Sequence, residues 1–281
     1  MTPKRSINWK PAIFFPLILI GAAAWPVYAW HHGVTVAQVA CFVLLSGAGG
    51  VGITVGYHRY FSHRAFECGT LTRIALLLCG ACTGSGSALK WAGDHVQHHL
   101  YVDQELDPYS PTRGFWHAQM GWMFWHEIPR VEPPRHLRED PLVQWQHRNY
   151  AWLAPLVGLG VPALVGGVGG FLLAGCLRIV MLVELQGLIN SWAHMGRKRP
   201  WGRESSAADS ALLAFMTMGE GWHSYHHRFP FDYRLGHEAG QWDPGKWLIW
   251  TLERLGLAWN LRRSSVGAAA GVGEPNEEAM S

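Results

Sequence analysis

Residues 35–63 read TVAQVACFVLLSGAGGVGITVGYHRYFSH, and this stretch is the most informative about the fold. Its first part, 35–57, is apolar and long enough for one helix to cross the hydrocarbon core of a bilayer, which needs about 20 residues. Its last part carries His58 and His63 directly after the apolar run. The stretch therefore predicts a membrane-spanning helix that delivers two imidazole rings to one membrane surface.

Further apolar segments lie on both sides of this helix. Residues 11–30 precede it, and the connector His31-His32-Gly33 contains no lysine or arginine. Residues 151–190 form a second apolar block that is interrupted by the glycine-rich stretch 166–170. This block is long enough for two spans joined by a tight turn. We predict an all-α membrane protein with four transmembrane helices, arranged as the hairpins 11–57 and 151–190.

The basic residues predict the orientation of these hairpins, because lysine and arginine are enriched in cytoplasmic loops. The basic residues that flank the hairpins all lie at their open ends: Lys4, Arg5, Lys10, Arg59, Arg64, Arg148, Arg197 and Lys198. The N-terminal segment 1–10 and the polar regions 58–150 and 191–263 are therefore expected in the cytoplasm, where the two regions form a helical cap. We expect this multi-pass protein in a bacterial inner membrane.

Two segments need separate interpretation. Residues 70–89 are apolar and long enough to cross, but they contain several hydroxyl residues and Arg73. Crossing would also put the histidines before and after them on opposite faces, so we predict a helix lying in the membrane interface. Residues 264–281 are small, polar and without periodicity, which predicts a disordered tail.

The composition excludes some classes of function. The 281 residues carry a formal net charge of +3 and no block of lysine and arginine, so nothing favours a nucleic-acid partner. The 16 tryptophans fit a protein with long membrane–water boundaries. The five cysteines have no disulfide or metal framework, and the Cys79-x-x-Cys82 pair is read as packing.

Three histidine clusters carry the chemistry. The polar regions contain His95-Val-Gln-His98-His99 and His223-Ser-Tyr-His226-His227, in addition to the pair His58 and His63. Residues three and four apart share one face of a helix, so each H-x-x-H-H unit directs three rings to one point. His58 and His63 are five apart, about 140° around an ideal helix, so they serve two metal positions or lie at a helix end.

The number of histidines predicts two metal ions. Neutral imidazoles suit iron, zinc, copper or nickel. A structural zinc needs about four ligands and a catalytic zinc about three, so eight rings exceed the needs of one ion. Carboxylate-bridged di-iron bundles use paired Glu-x-x-His motifs, and only Glu220 and His223 have that spacing here. Two histidine-ligated ions with open positions beside a membrane indicate an oxygen-activating centre that acts on a lipid chain.

At this point the sequence resembles the membrane fatty acid desaturase family, in particular its Δ9 acyl-CoA desaturase-like branch. The similar stretches are GYHRYFSHRAFE (56–67), WAGDHVQHHLYVDQELDPYSPTRGFWHAQMGW (91–122), NSWAHMG (190–196), GEGWHSYHHRFPFDYRLG (219–236) and DPGKWLIWTLERLGLAWNLR (243–262). With the four spans, the resemblance covers nearly everything from 11 to 263.

The resemblance implies a di-iron site with nine histidine ligands. Eight are those of the three clusters, and the ninth is His194 of the N-S-x-A-H motif. Asn190 matches the position that reaches one iron through a water molecule. Asp94 and Glu220 are further candidates that orient ligand rings. The implied reaction is the insertion of a cis double bond, at the Δ9 position, into a saturated acyl chain with O2 and two electrons.

The resemblance leaves the partners less defined. Gly93 and Val96 stand where acyl-CoA-using relatives commonly have arginines, which would pair with the phosphates of coenzyme A. Acyl-CoA and lipid-linked chains both stay open as substrates. The sequence contains neither a cytochrome b5-like domain nor a ferredoxin-like cysteine array, so we expect a separate ferredoxin- or cytochrome b5-like donor with its reductase.

Two other functions compete with desaturation. A membrane histidine-box hydroxylase would use a similar centre, although such enzymes tend to begin with H-x3-H, whereas His58 and His63 have four residues between them. A non-catalytic haem or metal-transport protein would place isolated, facing histidines inside its spans. The clusters here lie at the ends of the predicted spans, which favours the enzyme.

Overall fold

The computed structural model describes residues 6–126, 128–202 and 204–265. Most of the predicted tail, from 266 onward, and residues 1–5 of the N-terminal segment lie outside this part. The α-helices are α1 (Trp9–His32), α2 (Val36–Val51), α3 (Thr70–Ala81), α4 (Ala88–Tyr101), α5 (Phe115–Gln119), α6 (Arg135–Arg138), α7 (Pro141–Pro155), α8 (Val161–Gly170), α9 (Arg178–Asn190), α10 (Ala211–Met216), α11 (His223–Arg228) and α12 (Pro244–Arg254).

Other helical geometries join or extend these helices. π-Helical segments cover Gly52–Ser62, Leu156–Gly160 and Phe171–Leu177, and 3-10 turns cover Pro111–Arg113, Gly121–Phe124 and Trp192–His194. Two antiparallel pairs of two-residue strands complete the fold, β1 (Ser6–Ile7) with β3 (Trp125–His126) and β2 (Glu67–Cys68) with β4 (Ala258–Trp259). The architecture is therefore mostly helical, and within the described ranges these short strand pairs depart from the expected all-α chain.

In the part of the chain that the structure describes, three helical stretches are long and apolar enough to cross a membrane. They are Trp9–His32, Val36–Ser62 and Pro141–His194. In the apolar window of the first, 17% of the residues are buried inside the protein, so most of its apolar side chains face outward, as lipid contact requires. Thr35 begins the second stretch with a reciprocal cap, in which its hydroxyl accepts from the Gln38 N–H and the Gln38 side chain accepts from the Thr35 N–H.

The third stretch is 54 residues long but is not one straight helix. Gly167 has φ 60° and ψ −145°, a non-helical conformation that glycine adopts at little cost. The chain after Gly167 packs back against the chain before it, because a Cβ added at Gly170 would lie 2.2 Å from the carbonyl oxygen of Pro162. The glycines predicted as a turn therefore do interrupt the helix.

The segment 70–89 differs from the single helix expected there. α3 ends at Ala81, and α4 begins at Ala88, inside the predicted range. Gly84 and Gly86 between them have φ values of 75° and 104°, which no continuing helix tolerates. Since α3 has 12 residues, it is about 18 Å long and too short to cross a bilayer on its own. Its place in the interface stays a prediction.

The main buried core lies where α3, α4, α7 and α12 meet the π-helical segment 52–62. Its fully buried members include Tyr57, Leu137 and Ile249. The Gln146 side chain donates to the Tyr57 hydroxyl at 2.6 Å and to the Leu77 carbonyl at 3.0 Å, and it accepts from the Ala88 N–H at 2.9 Å. This core fixes the start of α4 against the end of the second apolar helix, and both carry histidines.

Gly52 packs directly against the backbone of α3, and this packing yields a stability prediction. A Cβ at Gly52 would lie 2.1 Å from the backbone nitrogen of Gly80 and 2.3 Å from the carbonyl carbon of Cys79. Because backbone atoms cannot move aside as a side chain does, Gly52→Ala is expected to lower the free energy of unfolding by about 1–3 kcal/mol or more.

Gly47 is the matched control, since it is an exposed residue of the same apolar stretch and a Cβ there meets nothing within 4 Å. Thermal unfolding of the detergent-solubilised variants measures both effects. An equal midpoint for Gly52→Ala and Gly47→Ala would contradict the tight packing described for Gly52.

Candidate metal centre

The nine predicted ligand histidines come from four separate elements. His58 lies in the π-helical segment and His63 directly follows it, α4 carries His95, His98 and His99, the 3-10 turn Trp192–His194 carries His194, and α11 carries His223, His226 and His227. The structure brings all nine together. Their ring nitrogens form a five-histidine group (His58, His63, His95, His99 and His226) and a four-histidine group (His98, His194, His223 and His227), and within each group the nitrogens lie within 4.8 Å of one another.

The π-helix explains how His58 and His63 join the same group. A π-helix closes its turns between residues i and i+5, so residues five apart come into register. The N–H of His63 donates to the carbonyl of His58 at 3.2 Å, and the two ring centroids are 5.0 Å apart. The spacing left two alternatives, and the geometry agrees with the second. His63 lies at the end of the helical segment, and both rings belong to one group rather than to two separate metal positions.

The nitrogen–nitrogen distances test whether these residues fit metal ions. The Nε2 of His226 lies 3.0 Å from that of His58 and 2.8 Å from that of His99. In the second group, the Nε2 of His223 lies 2.9 Å from that of His194 and 3.1 Å from that of His227. Imidazole nitrogens bind such ions at about 2.1 Å, so two ligands at right angles about one ion lie about 3 Å apart. The donor sets therefore fit one ion in each group.

Burial keeps the rings in the form that binds metal. Desolvation lowers the pKa of His63, His95, His99, His226 and His227 well below the usual histidine range, and the neighbouring histidines lower it further. The pKa of His223 falls to about 3, chiefly by burial. A neutral imidazole offers a lone pair, whereas a protonated one does not. These six rings are thus neutral nitrogen donors at neutral pH.

Glu220 has the contact expected of a residue that orients a ligand ring. Its carboxylate oxygens lie 2.8 and 3.0 Å from the Nδ1 of His58, and it also accepts from the Thr54 hydroxyl. Burial raises the pKa of Glu220, but the charges and hydrogen bonds of His58 and its neighbours outweigh that effect and lower it overall. Because an ionised carboxylate only accepts, Nδ1 of His58 carries the proton and Nε2 is left for a metal.

Asp94 and Asn190, the other two residues predicted to support the ligands, do not share the contact that Glu220 makes with a ligand ring. The carboxylate of Asp94 pairs with Lys90 at 3.0 Å and with Arg130 at 2.9 Å, so its contacts go to cations rather than to a ligand ring. Neighbouring helical residues do not face the same way, which turns Asp94 away from the ring of His95. Asp94 therefore takes part in ion pairs, and the orienting role expected for it stays a prediction. Asn190 ends α9, four residues before His194.

Two further contacts that orient ligand rings were not predicted from the sequence. The buried carboxylate of Asp107 accepts from the Nδ1 of His98 at 2.9 Å. The Nδ1 of His194 lies 2.8 Å from the hydroxyl of Ser206, which in turn donates to Asp103 at 2.5 Å. The only signal was a set of three acidic residues in the polar loop after His99, and spacing alone could not select among them.

Aromatic rings enclose the five-histidine group on one side. The indole of Trp91 stacks on the ring of His95, with centroids 5.2 Å apart and planes 20° apart, and its Nε1–H donates to Gln186 at 3.1 Å. Tyr109 places its hydroxyl 3.3 Å from the Nδ1 of His95 and stacks on His98, with centroids 4.6 Å apart. Trp91 and Tyr109 thus each cover one face of a ligand ring, His95 in the five-histidine group and His98 in the four-histidine group.

The remaining histidines stay outside the two groups. His136 contacts the carbonyl of Phe61 at 2.9 Å, His147 contacts the hydroxyl of Ser87 at 2.7 Å, and His237 stacks on Tyr225. His31 and His32 end α1. Clustering in sequence therefore separated the candidate ligands from ordinary histidines, and only His194 depended on the resemblance.

Comparison with known proteins agrees with this geometry. The profile of the fatty acid desaturase family matches residues 34–244. The probable acyl-CoA desaturase of Schizosaccharomyces pombe is 34% identical over 267 residues, which are 92% of this chain and 55% of that protein. The acyl-CoA desaturase 1 of Saccharomyces cerevisiae is 34% identical over 235 residues, covering 80% of this chain and 46% of that protein.

A bacterial relative matches along nearly its whole length. The sn-1 stearoyl-lipid 9-desaturase of Anabaena variabilis is 32% identical over 265 residues, covering 92% of this chain and 95% of that protein. By contrast, this chain spans about half the length of the two fungal relatives. The long apolar helices and these relatives make the chain a membrane protein. It belongs to the fatty acid desaturase family.

Proposed function

We propose that this protein is a fatty acyl desaturase that inserts a cis double bond, at the Δ9 position, into a saturated acyl chain at a di-iron centre. The observation that carries the proposal is the pairing of two adjacent groups of histidine ring nitrogens at metal-ligand spacing. Family membership and the names of the relatives, acyl-CoA desaturases and a stearoyl-lipid 9-desaturase, support the reaction.

Nine histidines hold the two irons in this proposal. The five-histidine group holds one ion and the four-histidine group holds the other, with Asn190 supporting the second through water. When bound, the irons would supply the oxidising power that removes two hydrogens from adjacent methylenes, with O2 and two electrons as co-substrates and water as the by-product. Iron is preferred over zinc because zinc has no redox chemistry.

The rest of the chain positions the acyl group and excludes water. Glu220 holds His58 in one orientation, and Trp91 covers the face of His95. Excluding water matters because a reactive centre that meets solvent or a misplaced carbon gives side products such as alcohols. A hydroxylase, the alternative function, would position the acyl chain differently at a similar centre, and membership of the desaturase family does not favour it.

The proposed topology has four spans with both termini in the cytoplasm of a bacterial cell. The spans are the hairpins 11–57 and 151–190, and the break at Gly167 supports a turn in the second hairpin. The regions 58–150 and 191–263 form the cytosolic cap, and membrane lipid surrounds the spans. Both regions contribute histidines to the two groups, which agrees with their lying on one side of the membrane.

The acyl chain is carried by coenzyme A or by a lipid, and electrons come from a separate ferredoxin- or cytochrome b5-like donor. Gly93 has little space for a larger side chain, because a Cβ there would lie 3.1 Å from Pro133. The neighbouring cations Lys90 and Arg130 are both paired with Asp94.

Incubating membranes with labelled stearoyl-CoA and with labelled stearoyl lipid identifies the carrier, since only one pool acquires the double bond directly.

Expression in a bacterium that lacks its own desaturase tests the function. Cells that express the protein and are fed a saturated fatty acid are expected to accumulate the cis monounsaturated product, with the double bond at carbon 9 by mass spectrometry. Cells with the His98→Ala variant are expected to accumulate none. A hydroxylated chain, or an unchanged profile from a well-expressed protein supplied with donor and reductase, would contradict the proposal.

A further inference from the structure

The segment after α4 holds two carboxylates that act on the four-histidine group. α4 ends at Tyr101, and Asp103 and Asp107 follow it. Asp103 has φ 63°, a left-handed conformation that aspartate adopts more readily than most residues. This turn brings the N–H of Asp103 to 3.1 Å from one carboxylate oxygen of Asp107. The two acidic residues are therefore joined by a hydrogen bond within one loop, 102–107, beside the histidines.

Both oxygens of the Asp107 carboxylate contact hydrogen-bond donors. One oxygen lies 2.9 Å from the Nδ1 of His98 and accepts from the N–H of Tyr109 at 3.2 Å, and the other accepts from the N–H of Asp103. Both Asp107 and His98 are buried, with 0% and 1% of their surface exposed. Because every neighbour is a donor, Asp107 fixes the proton of His98 on Nδ1 and turns Nε2 to the metal side.

Asp103 acts on a second ligand through Ser206. Its two oxygens accept from the hydroxyl and the N–H of Ser206 at 2.5 and 2.6 Å, and that hydroxyl lies 2.8 Å from the Nδ1 of His194. Since the hydroxyl proton is donated to Asp103, the oxygen accepts from His194. The Nδ1 of His194 therefore carries a proton and its Nε2 is left for a metal, as in the pair of Asp107 and His98.

We propose that the 102–107 loop is the positioning element of the four-histidine group, with Asp107 orienting His98 and Asp103 orienting His194 through Ser206. The inference rests on the proposed di-iron function and concerns residues that do not themselves bind the metal. The five-histidine group is served by a different carboxylate, Glu220, through His58. The two metal positions thus have separate supports and should respond separately to substitution.

Iron retention by the purified full-length protein tests this separation. Asp107→Asn keeps the shape but replaces one accepting oxygen with a donating NH2, so at least one of the three surrounding donors loses its acceptor. Ser206→Ala removes the hydroxyl that links His194 to Asp103. Loss of such outer contacts typically weakens metal binding by about 10–100-fold. Each variant is expected to release one of its two irons at about 10–100-fold lower chelator concentration and to keep the other iron as tightly as the wild type.

Double variants show which position is affected. Combining Asp107→Asn with Ser206→Ala should still weaken one iron only, because both act on the same position. Combining Asp107→Asn with Glu220→Gln should weaken both irons, because these act on different positions. Mössbauer spectra of protein loaded with 57Fe should show one altered iron environment in the first combination and two in the second. Glu139→Gln, which removes an exposed carboxylate, is the matched control and should retain iron like the wild type.

Two contrary results have different meanings. If the wild type binds two irons but Asp107→Asn and Ser206→Ala release both as the wild type does, with unchanged spectra, the role of the loop is wrong and the proposed function stands. If the correctly folded wild type binds no iron under reducing, anaerobic loading, the proposed function fails and this inference fails with it. Equal loss of both irons in the single variants would also overturn the separation of supports.

Discussion

Replacing His226 with alanine is expected to abolish desaturation, with a rate more than about 100-fold below that of the wild type. Loss of a residue that only supports a ligand costs about 10–100-fold, so loss of a proposed ligand should cost more. His226 is a sharp choice because its Nε2 contacts the Nε2 atoms of both His58 and His99. Product formation in membranes and iron content of the purified protein are the measurements, and both should fall together.

His32→Ala is the matched control, because this histidine is exposed at the end of α1 and belongs to neither group. The control should keep both its iron and its activity. A His226→Ala protein that folds and desaturates at the wild-type rate would remove His226 from the site, and with it the composition of the five-histidine group.

Replacing Arg59 with methionine is expected to cost about 3–5 kcal/mol of stability, because it leaves a buried charge without its partner. Arg59 and Asp243 form an ion pair at 2.8 Å with 1% and 0% of their side-chain surface exposed. Asp243 also accepts from the N–H groups of Leu235 and Gly236 at 2.8 and 3.1 Å. The pair therefore joins the helix that carries His58 to the loop that follows α11, and its loss should also reduce iron retention.

Unfolding of the purified variants in a denaturing detergent measures this cost. The exposed pair of Arg135 and Glu139 provides the comparison, with 79% and 59% of the side-chain surface exposed. Arg135→Met should change stability by no more than about 1 kcal/mol, since exposed ion pairs contribute little. Similar stabilities for Arg59→Met and Arg135→Met would show that the buried pair does not hold the two halves of the site together.

The sequence predicted the long apolar helices and the histidine clusters because both depend on local patterns. Apolar length alone marks a helix that can span a membrane, and H-x-x-H-H spacing alone places three rings on one face. The same local logic left two alternatives for His58 and His63, since it assumed an ideal α-helix, and His63 does lie at a helix end. The π-helical geometry there accompanies the close packing of Gly52 against the backbone of α3, a tertiary contact that spacing does not reveal.

The supporting carboxylates were predicted with mixed success for a related reason. Glu220 was chosen because it precedes His223 by three residues, yet it contacts His58, which is far away in sequence. Asp94 adjoins His95 in sequence, but its carboxylate pairs with Lys90 and Arg130. Asp107 reaches His98 only through a loop with a left-handed residue, a conformation that the sequence around it does not specify.

A single turnover of the iron-loaded protein can show whether the centre desaturates an acyl chain. Purified protein is loaded with iron, reduced without oxygen in the presence of a saturated acyl substrate, and then exposed to O2, and the acyl product is identified by mass spectrometry. The claim predicts a chain that has lost two hydrogens, formed by protein that binds two irons and no haem. A chain that has gained an oxygen atom, or an unchanged chain with protein that binds haem instead of non-haem iron, would contradict it.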